Sequence, residues 1–367
     1  MKFITAIARL LVGVLFIVSG LIKANDPIGF SYKLQEYFEV LHLSFLMPLS
    51  LALAILICFV EVLLGIMLLL GIYRNLVLWV LSLMMAFFTF LTFYSAYFNK
   101  VTSCGCFGDA IPFTPWQSFG KDVVLVLLIT WLIFQRKHIQ PLFGSFISMI
   151  LLGVLGLASL AFPLYTQTYL PVVDFRPYKI GTNWYLATPE HIQQKFFYTL
   201  KNRKTGEVKE FESFQSDTNW VYVSNRTVPI LKGIKPIEHF EMEDKLGDDK
   251  RDSLITLPGH KALLILVAYD LEKTNLRHVT EINRLAGECK QQGIGMVGLT
   301  ASSQEVIQTF QLATRLPIDF YRSPDDVPLK AMVRSNPGLI LLQDSVVKMI
   351  WPHTALPNLN AIKTYLK

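Results

Sequence analysis

The chain has 367 residues, 52% of them hydrophobic and only 17% charged, with a mean hydropathy of +0.41. This excludes a disordered or collagen-like chain and is too apolar for an ordinary soluble enzyme. The charges are unevenly spread: residues 1–166 hold nine Lys/Arg and six Asp/Glu, residues 167–367 hold 25 and 22. A membrane part followed by a water-soluble part is therefore expected. The net charge of +6 divides equally between them, so neither half is a basic patch and no nucleic-acid partner is expected. Four cysteines are too few for a disulfide scaffold.

A spanning helix needs about 20 mostly apolar residues. Five segments meet or approach this: Ile4–Ile22, Met47–Leu70, Leu76–Phe98, Phe119–Gln135 and Leu142–Tyr165. The first is read as a retained span, because no small-residue cleavage pattern follows it in SGLIKANDP. The turns at Tyr73-Arg74-Asn75 and Arg136-Lys137-His138 share one side with Lys2 and Arg9. Basic loops favour the cytoplasm, so the N-terminus is expected there and everything after Tyr165 outside. The opposite loops carry Lys23, Lys33, Lys100 and Lys121, so the basic bias is modest; Asp26, Glu36, Glu39, Asp109 and Asp122 all fall on the outer side, but acidic residues contribute little to orientation.

Between the first two spans, Ile28–Leu46 places Phe30, Leu34, Tyr37, Phe38 and Leu41 at near-helical spacing. This is either a surface amphipathic helix or a helix packed on the bundle. Within the second span, Glu61 is a carboxylate at a depth where charge is expensive, so it should face the bundle interior or a polar cavity. Cys58, Glu61 and Gly65 follow at i, i+3 and i+7 and share one helix face. Glu61 reads as a proton-handling or quinone-contact group, or else as an interhelical hydrogen-bond partner with Gly65 allowing close approach.

The third outer loop contains Cys104-Gly105-Cys106-Phe107-Gly108. With the first span, ARLLVGVLFIVSGLIKANDP, and with Glu61 followed by a glycine, this run resembles the DoxX/MauE family of bacterial redox-associated membrane proteins over residues 4–135. The resemblance implies a small helical bundle of the inner membrane. In the MauE branch it also implies a link to methylamine utilisation through maturation of a disulfide-rich partner. The residues independently support redox chemistry. Two thiols one residue apart in an oxidising compartment can form a disulfide, and Gly105 offers the backbone freedom of a tight turn. Such strained, exposed disulfides are the exchangeable ones. Lys100 and Lys121 favour thiolate while Asp109 opposes it. A structural clip and half of a metal site are the competing readings. The seven histidines show no ligand spacing, so no metal is expected.

Residues 167–234 read as a strand-rich linker module, with a hairpin in FFYTLKNRKTGEVKEF around a Lys-Thr-Gly turn. From residue 235 onward, strands and helices alternate. Ala262–Tyr269, Ile294–Leu299 and Gly338–Leu342 are expected strands, with Val346–Trp351 as a hairpin partner. Leu276–Lys290 and Gln304–Thr314 are expected helices, giving an α/β domain. The opening segment PIEHFEMED and Asn336-Pro337 before the third strand resemble the thioredoxin-like fold of the TlpA/redoxin type. That resemblance implies a cis proline at residue 337 and a C-x-x-C after the first strand. The chain instead reads Tyr269-Asp270-Leu271-Glu272-Lys273-Thr274-Asn275, with no thiol. Cys289 falls on the apolar face of Leu276, Val279, Ile282 and Ala286 and should be buried.

The expected architecture is thus a five-helix membrane bundle (1–166), a linker module (167–234) and a thioredoxin-like domain without redox cysteines (235–367). Cys104 and Cys106 are the candidate redox pair, with Glu61 as a proton or quinone contact. No bound cofactor is identified, and a quinone is the one compatible with this placement. The expected partners are membrane lipid and a periplasmic redox or client protein. A membrane-anchored scaffold or chaperone without redox turnover is the alternative. A transporter using Glu61 is a third reading, although the chain shows no inverted repeats or broken helices.

Overall fold

The computed structural model describes residues 1–98, 107, 108, 110, 111, 113–188, 194–213, 219–229, 237, 239–256 and 262–366. Cys104, Gly105 and Cys106 lie outside the described residues, as do Lys100 and Asp109. The chain divides into two compact units, Met1–Arg176 and Pro177–Lys367.

In the first unit, five helices among the described residues are long and apolar enough to cross a membrane. They are α1 (Lys2–Asn25), α3 (Ser50–Leu70, preceded by a 3-10 turn from Ser44), α4 (Arg74–Phe98), α5 (Pro115–Phe134) and α6 (Ser145–Tyr169). The shorter α2 (Pro27–Val40) is packed on the bundle, burying Leu34 and Phe38 against Ala54 of α3. Of the two readings of that segment, the packed helix is the one observed. Helix ends follow local chemistry. Gly71 stops α3 in the left-handed conformation at φ 74°. Thr114 and Gln117 close a reciprocal capping box on α5, with Pro115 in its first turn.

Helices α1 and α3 approach to backbone contact. A Cβ added to Gly65 would lie 2.7 Å from the carbonyl oxygen of Gly13, and one on Gly20 would lie 3.0 Å from that of Cys58. Small residues permit such contact where lipid supplies no hydrophobic drive for association. At one end of the unit, Arg9 donates to the carbonyls of Leu68, Leu69 and Gln140, and Arg74 donates to that of Ile139. These bonds engage carbonyls at the end of α3 and in the α5–α6 loop and gather the α3–α4 turn against that loop.

The second unit has two sheets. An antiparallel sheet of order β2-β1-β3 comprises β1 (Gln194–Asn202), β2 (Val208–Phe211) and β3 (Trp220–Pro229). Its β1–β2 hairpin turns at Lys204-Thr205-Gly206, where Gly206 has a positive φ of 72°. The larger sheet has the order β6-β5-β4-β7-β8, from β4 (Leu263–Val267), β5 (Gly295–Thr300), β6 (Asp319–Arg322), β7 (Gly338–Gln343) and β8 (Val346–Pro352). β4, β5 and β6 are parallel, while β7 and β8 run antiparallel to their neighbours. Every residue of the central strand β4 is buried, as its unbroken LLILV run requires. Helices α9 (Val279–Gln291) and α10 (Gln304–Thr314) contribute Ile282, Leu285, Ile307 and Phe310 to the core against this sheet.

Short helices complete the unit: α7 (Trp184–Ala187), α8 (Arg251–Ile255), α11 (Val327–Met332) and α12 (Leu359–Tyr365). Tyr178, Trp184 and Phe240 form a fully buried aromatic triangle with centroids 5.3–6.0 Å apart. It ties residues 177–188 to the segment that opens the α/β domain. The peptide bond Asn336–Pro337 is cis, as the thioredoxin-like resemblance implies. Leu276 departs from expectation. It precedes α9 and is exposed, so the apolar stripe around Cys289 consists of Ile282, Leu285 and Ala286.

Candidate functional site

The polar chemistry of the membrane unit converges on one small cavity. Ser19 and Lys23 stand one turn apart on α1 and share a face. Glu61 faces them from α3, one turn past the fully buried Cys58. The Lys23 ammonium donates to both Glu61 oxygens, at 2.6 and 2.7 Å, and to Ser19 Oγ at 2.7 Å. Both charged residues are almost wholly enclosed, Lys23 being 5% and Glu61 1% exposed. The ammonium also lies 5.6 Å from the ring centroids of Phe30 and Phe88. Three donors meeting three oxygens, flanked by aromatic faces, is the arrangement that makes a buried ion pair tolerable.

This corrects the placement of Lys23, which the sequence assigned to an outer loop. The apolar run of α1 continues through it, and a carboxylate as deep as Glu61 requires a compensating charge. Glu61 accordingly forms an interhelical ion pair.

Asp122 is a second enclosed charge. It is 1% exposed, pairs with the neighbouring Lys121, and accepts a hydrogen bond from Thr92 Oγ1 of α4 at 3.0 Å. Above it on α4, Ser95 Oγ lies 3.0 Å from the hydroxyl of Tyr37.

The cavity itself measures about 30 Å³ and is lined by Ser19, Lys23, Glu61, Lys121, Phe88 and Phe107, among others. Thus Phe107, the residue immediately after Cys106, closes the same space that Glu61 faces. Phe107 is buried, with Lys121 Nζ 5.7 Å from its ring and Phe113 edge-on at 5.8 Å. The volume admits one water molecule between two ammonium groups and a carboxylate. Sequence reasoning found Glu61 and the C-x-C run but missed Lys23, Lys121 and Asp122. The available signal was the need of any buried carboxylate for a partner.

In the second unit, the loop Asp270–Asn275 occupies the position after the first domain strand. It is pinned to the cis proline: Asn336 Nδ2 donates to Asp270 O at 2.7 Å and Asn275 N donates to Asn336 O at 3.0 Å. His353 bridges Ser335 and Asn275, its Nδ1 2.8 Å from Ser335 Oγ and its Nε2 3.1 Å from Asn275 Nδ2. Burial, with the charges of His278 and Arg277, holds the His353 imidazolium below the usual histidine range. Asp270 is held below the usual carboxylate range: burial opposes this, but Lys273 and two backbone N–H groups outweigh it. Cys289 is fully enclosed, and burial with the charge of Glu288 pushes its thiol up to about 11. Such a thiol stays protonated and inert at neutral pH. Among the described residues, no cluster of three or more His, Cys, Asp or Glu could hold a metal ion.

Comparison with known proteins follows these divisions. Residues 1–135 match the family model described as Methylamine utilisation protein MauE. A curated relative, Protein TlpB of Flavobacterium psychrophilum, is 33% identical over 137 residues, which cover 34% of this chain and 35% of that protein. The chain therefore spans about a third of the length of that relative. A solved structure, an uncharacterized conserved protein from Geobacillus kaustophilus, aligns over 52% of this chain and 82% of its own. At 12% identity and a TM-score of 0.24, that alignment is too loose to inform the fold. The first 135 residues are thus similar to the MauE family, within a unit whose helices are long and apolar enough to cross a membrane, and a thioredoxin-like α/β domain follows them.

Proposed function

We propose that this protein supports thiol–disulfide exchange at the outer face of the bacterial inner membrane, with Cys104 and Cys106 as the redox pair. In one half-cycle a client dithiol reduces the Cys104–Cys106 disulfide. The client gains a disulfide, and Cys104 and Cys106 become thiols. In the other half-cycle the two thiols pass two electrons and two protons to a quinone, which becomes a hydroquinone as the disulfide re-forms. The observation that carries the reading is the seat of Phe107 on the cavity that Glu61 and Lys23 line. Protons released next to Cys106 thereby have a buried carboxylate at hand. A space of about 30 Å³ fits a water rather than a quinone ring, so the quinone would meet this site from its edge. Glu61 then receives or passes the proton, with the Lys23 ammonium 2.6 Å away as its partner.

In this reading the N-terminus is cytoplasmic and the thioredoxin-like domain periplasmic, where it binds a client and presents it. The name of the matched family suggests that the client belongs to methylamine utilisation. The test is alkylation of membranes with a mass-tagged maleimide, with and without reductant, in wild type, Cys104→Ser and Cys106→Ser. Wild type should gain two tags only after reduction. Each single variant should accumulate a mixed disulfide with the client. Two tags under all conditions in an oxidising envelope would defeat the proposal.

A membrane-anchored scaffold without redox turnover is the second reading. It is favoured by the thiol-free loop Asp270–Asn275, which Asn336 fastens in place. It predicts tolerance of both cysteine substitutions and sensitivity on the surface of the α/β domain.

A further inference from the structure

We propose that the groove between the starts of α4 and α6 binds one anionic phospholipid. The groove has a volume of about 870 Å³ and is lined by Ile72, Arg74, Leu76, Phe143, Ser145 and Met149, among others. That is the size of a ligand site, far larger than the water-sized cavity beside Glu61.

Its polar end is positive. Arg74 is partly exposed and commits Nη1 to the carbonyl of Ile139 at 3.0 Å. Both Arg74 and Ile139 line the groove, so this bond lies at its wall. Arg136 and Lys137 stand in the adjoining 3-10 turn. Among the described residues, no carboxylate lines the groove. Both helices also begin here: their first internal bonds run from Val77 to Tyr73 and from Ser148 to Gly144, so the preceding N–H groups have no partner within their helices. A phosphodiester is the chemistry that answers a guanidinium beside such N–H groups.

The walls decide between a lipid and a free anion. Leu76, Phe143 and Met149 are exposed, and the apolar surface continues along α4 through Trp79 and Leu83 and along α6 through Ile150 and Val154. Those faces belong to helices long enough to span a membrane, so acyl chains are their natural solvent. A free phosphate would satisfy Arg74 but leave the walls uncovered. A lipid with an anionic headgroup covers both.

The test uses the full-length protein, purified and exchanged into micelles that contain equal amounts of phosphatidylglycerol and phosphatidylcholine. Native mass spectrometry counts the retained lipid. Wild type should keep one phosphatidylglycerol with roughly tenfold preference over phosphatidylcholine. Arg74→Gln should lose that preference, and Met149→Trp, which fills the apolar part, should lower retention of both lipids. Equal retention of the two lipids by wild type, or an unchanged preference in Arg74→Gln, would overturn the proposal. If Arg74→Gln does not fold, Met149→Trp decides, and undiminished retention there places the lipid elsewhere. A thermal-shift arm separates the sources: millimolar inorganic phosphate that protects as well as phosphatidylglycerol would exclude a lipid as the occupant.

Discussion

Breaking the Lys23–Glu61 pair from one side should be far more damaging than removing it whole. In Glu61→Leu the ammonium loses both carboxylate oxygens, at 2.6 and 2.7 Å, and retains Ser19 and two aromatic faces. A buried charge stranded in this way typically costs about 3–5 kcal/mol. Lys23→Met strands the carboxylate instead, with a similar loss. The double variant Lys23→Met/Glu61→Leu removes both desolvation penalties and fills the space with apolar groups. It should lie within about 2 kcal/mol of wild type and above either single variant, giving a coupling of at least ~2 kcal/mol. The assay is reversible unfolding in mixed detergent micelles, followed by tryptophan fluorescence for the four proteins of the cycle. Additivity within about 0.5 kcal/mol would refute the claim that the two charges sustain each other. The same double variant also separates structure from chemistry: if it folds but no longer re-forms the Cys104–Cys106 disulfide, the pair handles protons.

Other expectations concern the rest of the chain. A reporter fused after Lys367 should read out outside the cytoplasm; a cytoplasmic signal would remove the compartment in which a disulfide persists. A Cys104→Ser/Cys106→Ser double variant keeps Cys58 and Cys289 and should show no disulfide reductase activity in an insulin turbidity assay. Cys289, with its thiol pushed up to about 11, should resist a thiol reagent at pH 8 until denaturant is added, and rapid labelling of the native protein would contradict its burial. His353 is held below the usual histidine range, so the unfolded chain binds its proton more readily than the folded one. Stability from this group is present above about pH 6.5 and falls as the pH drops below that value. His353→Gln should flatten the acid limb of unfolding curves for the second unit; an unchanged limb would show that other groups set it.

The spans and the α/β alternation were legible because each rests on a local signal, apolar length or period, while the cis proline was expected from the resemblance to the thioredoxin-like fold. The shared face of Cys58, Glu61 and Gly65 followed from helical spacing and is buried as expected. The partner of Glu61 was not legible, since Lys23 lies 38 positions away and ends an apolar run. A lysine there ordinarily snorkels to the interface, and only the packing of α1 on α3 turns it inward. The burial of Asp122 was not legible either, since its Thr92 partner lies on a different helix. Strand β6 and helix α11 escaped notice because four and six residues carry too little period. The C-x-C run was visible by identity alone, whereas the place of Phe107 in the lining of the Glu61 cavity was not legible.

The glycines between α1 and α3 have a mechanical consequence. With Gly13, Gly20 and Gly65 bringing main chain against main chain, the two helices form one stiff beam that can neither slide nor change register. A piston motion of either helix would drive a carbonyl into a neighbouring side chain within a fraction of an ångström. Lys23 and Glu61 are riveted to opposite flanks of this beam, so their separation is set by the backbone rather than by side-chain choice. Any rearrangement that opens the enclosed space falls to the opposite wall, where α4 and α5 present Phe88 and Lys121. An alanine at Gly65 would drive its Cβ to 2.7 Å from the Gly13 carbonyl oxygen and push α1 and α3 apart at the level of the ion pair.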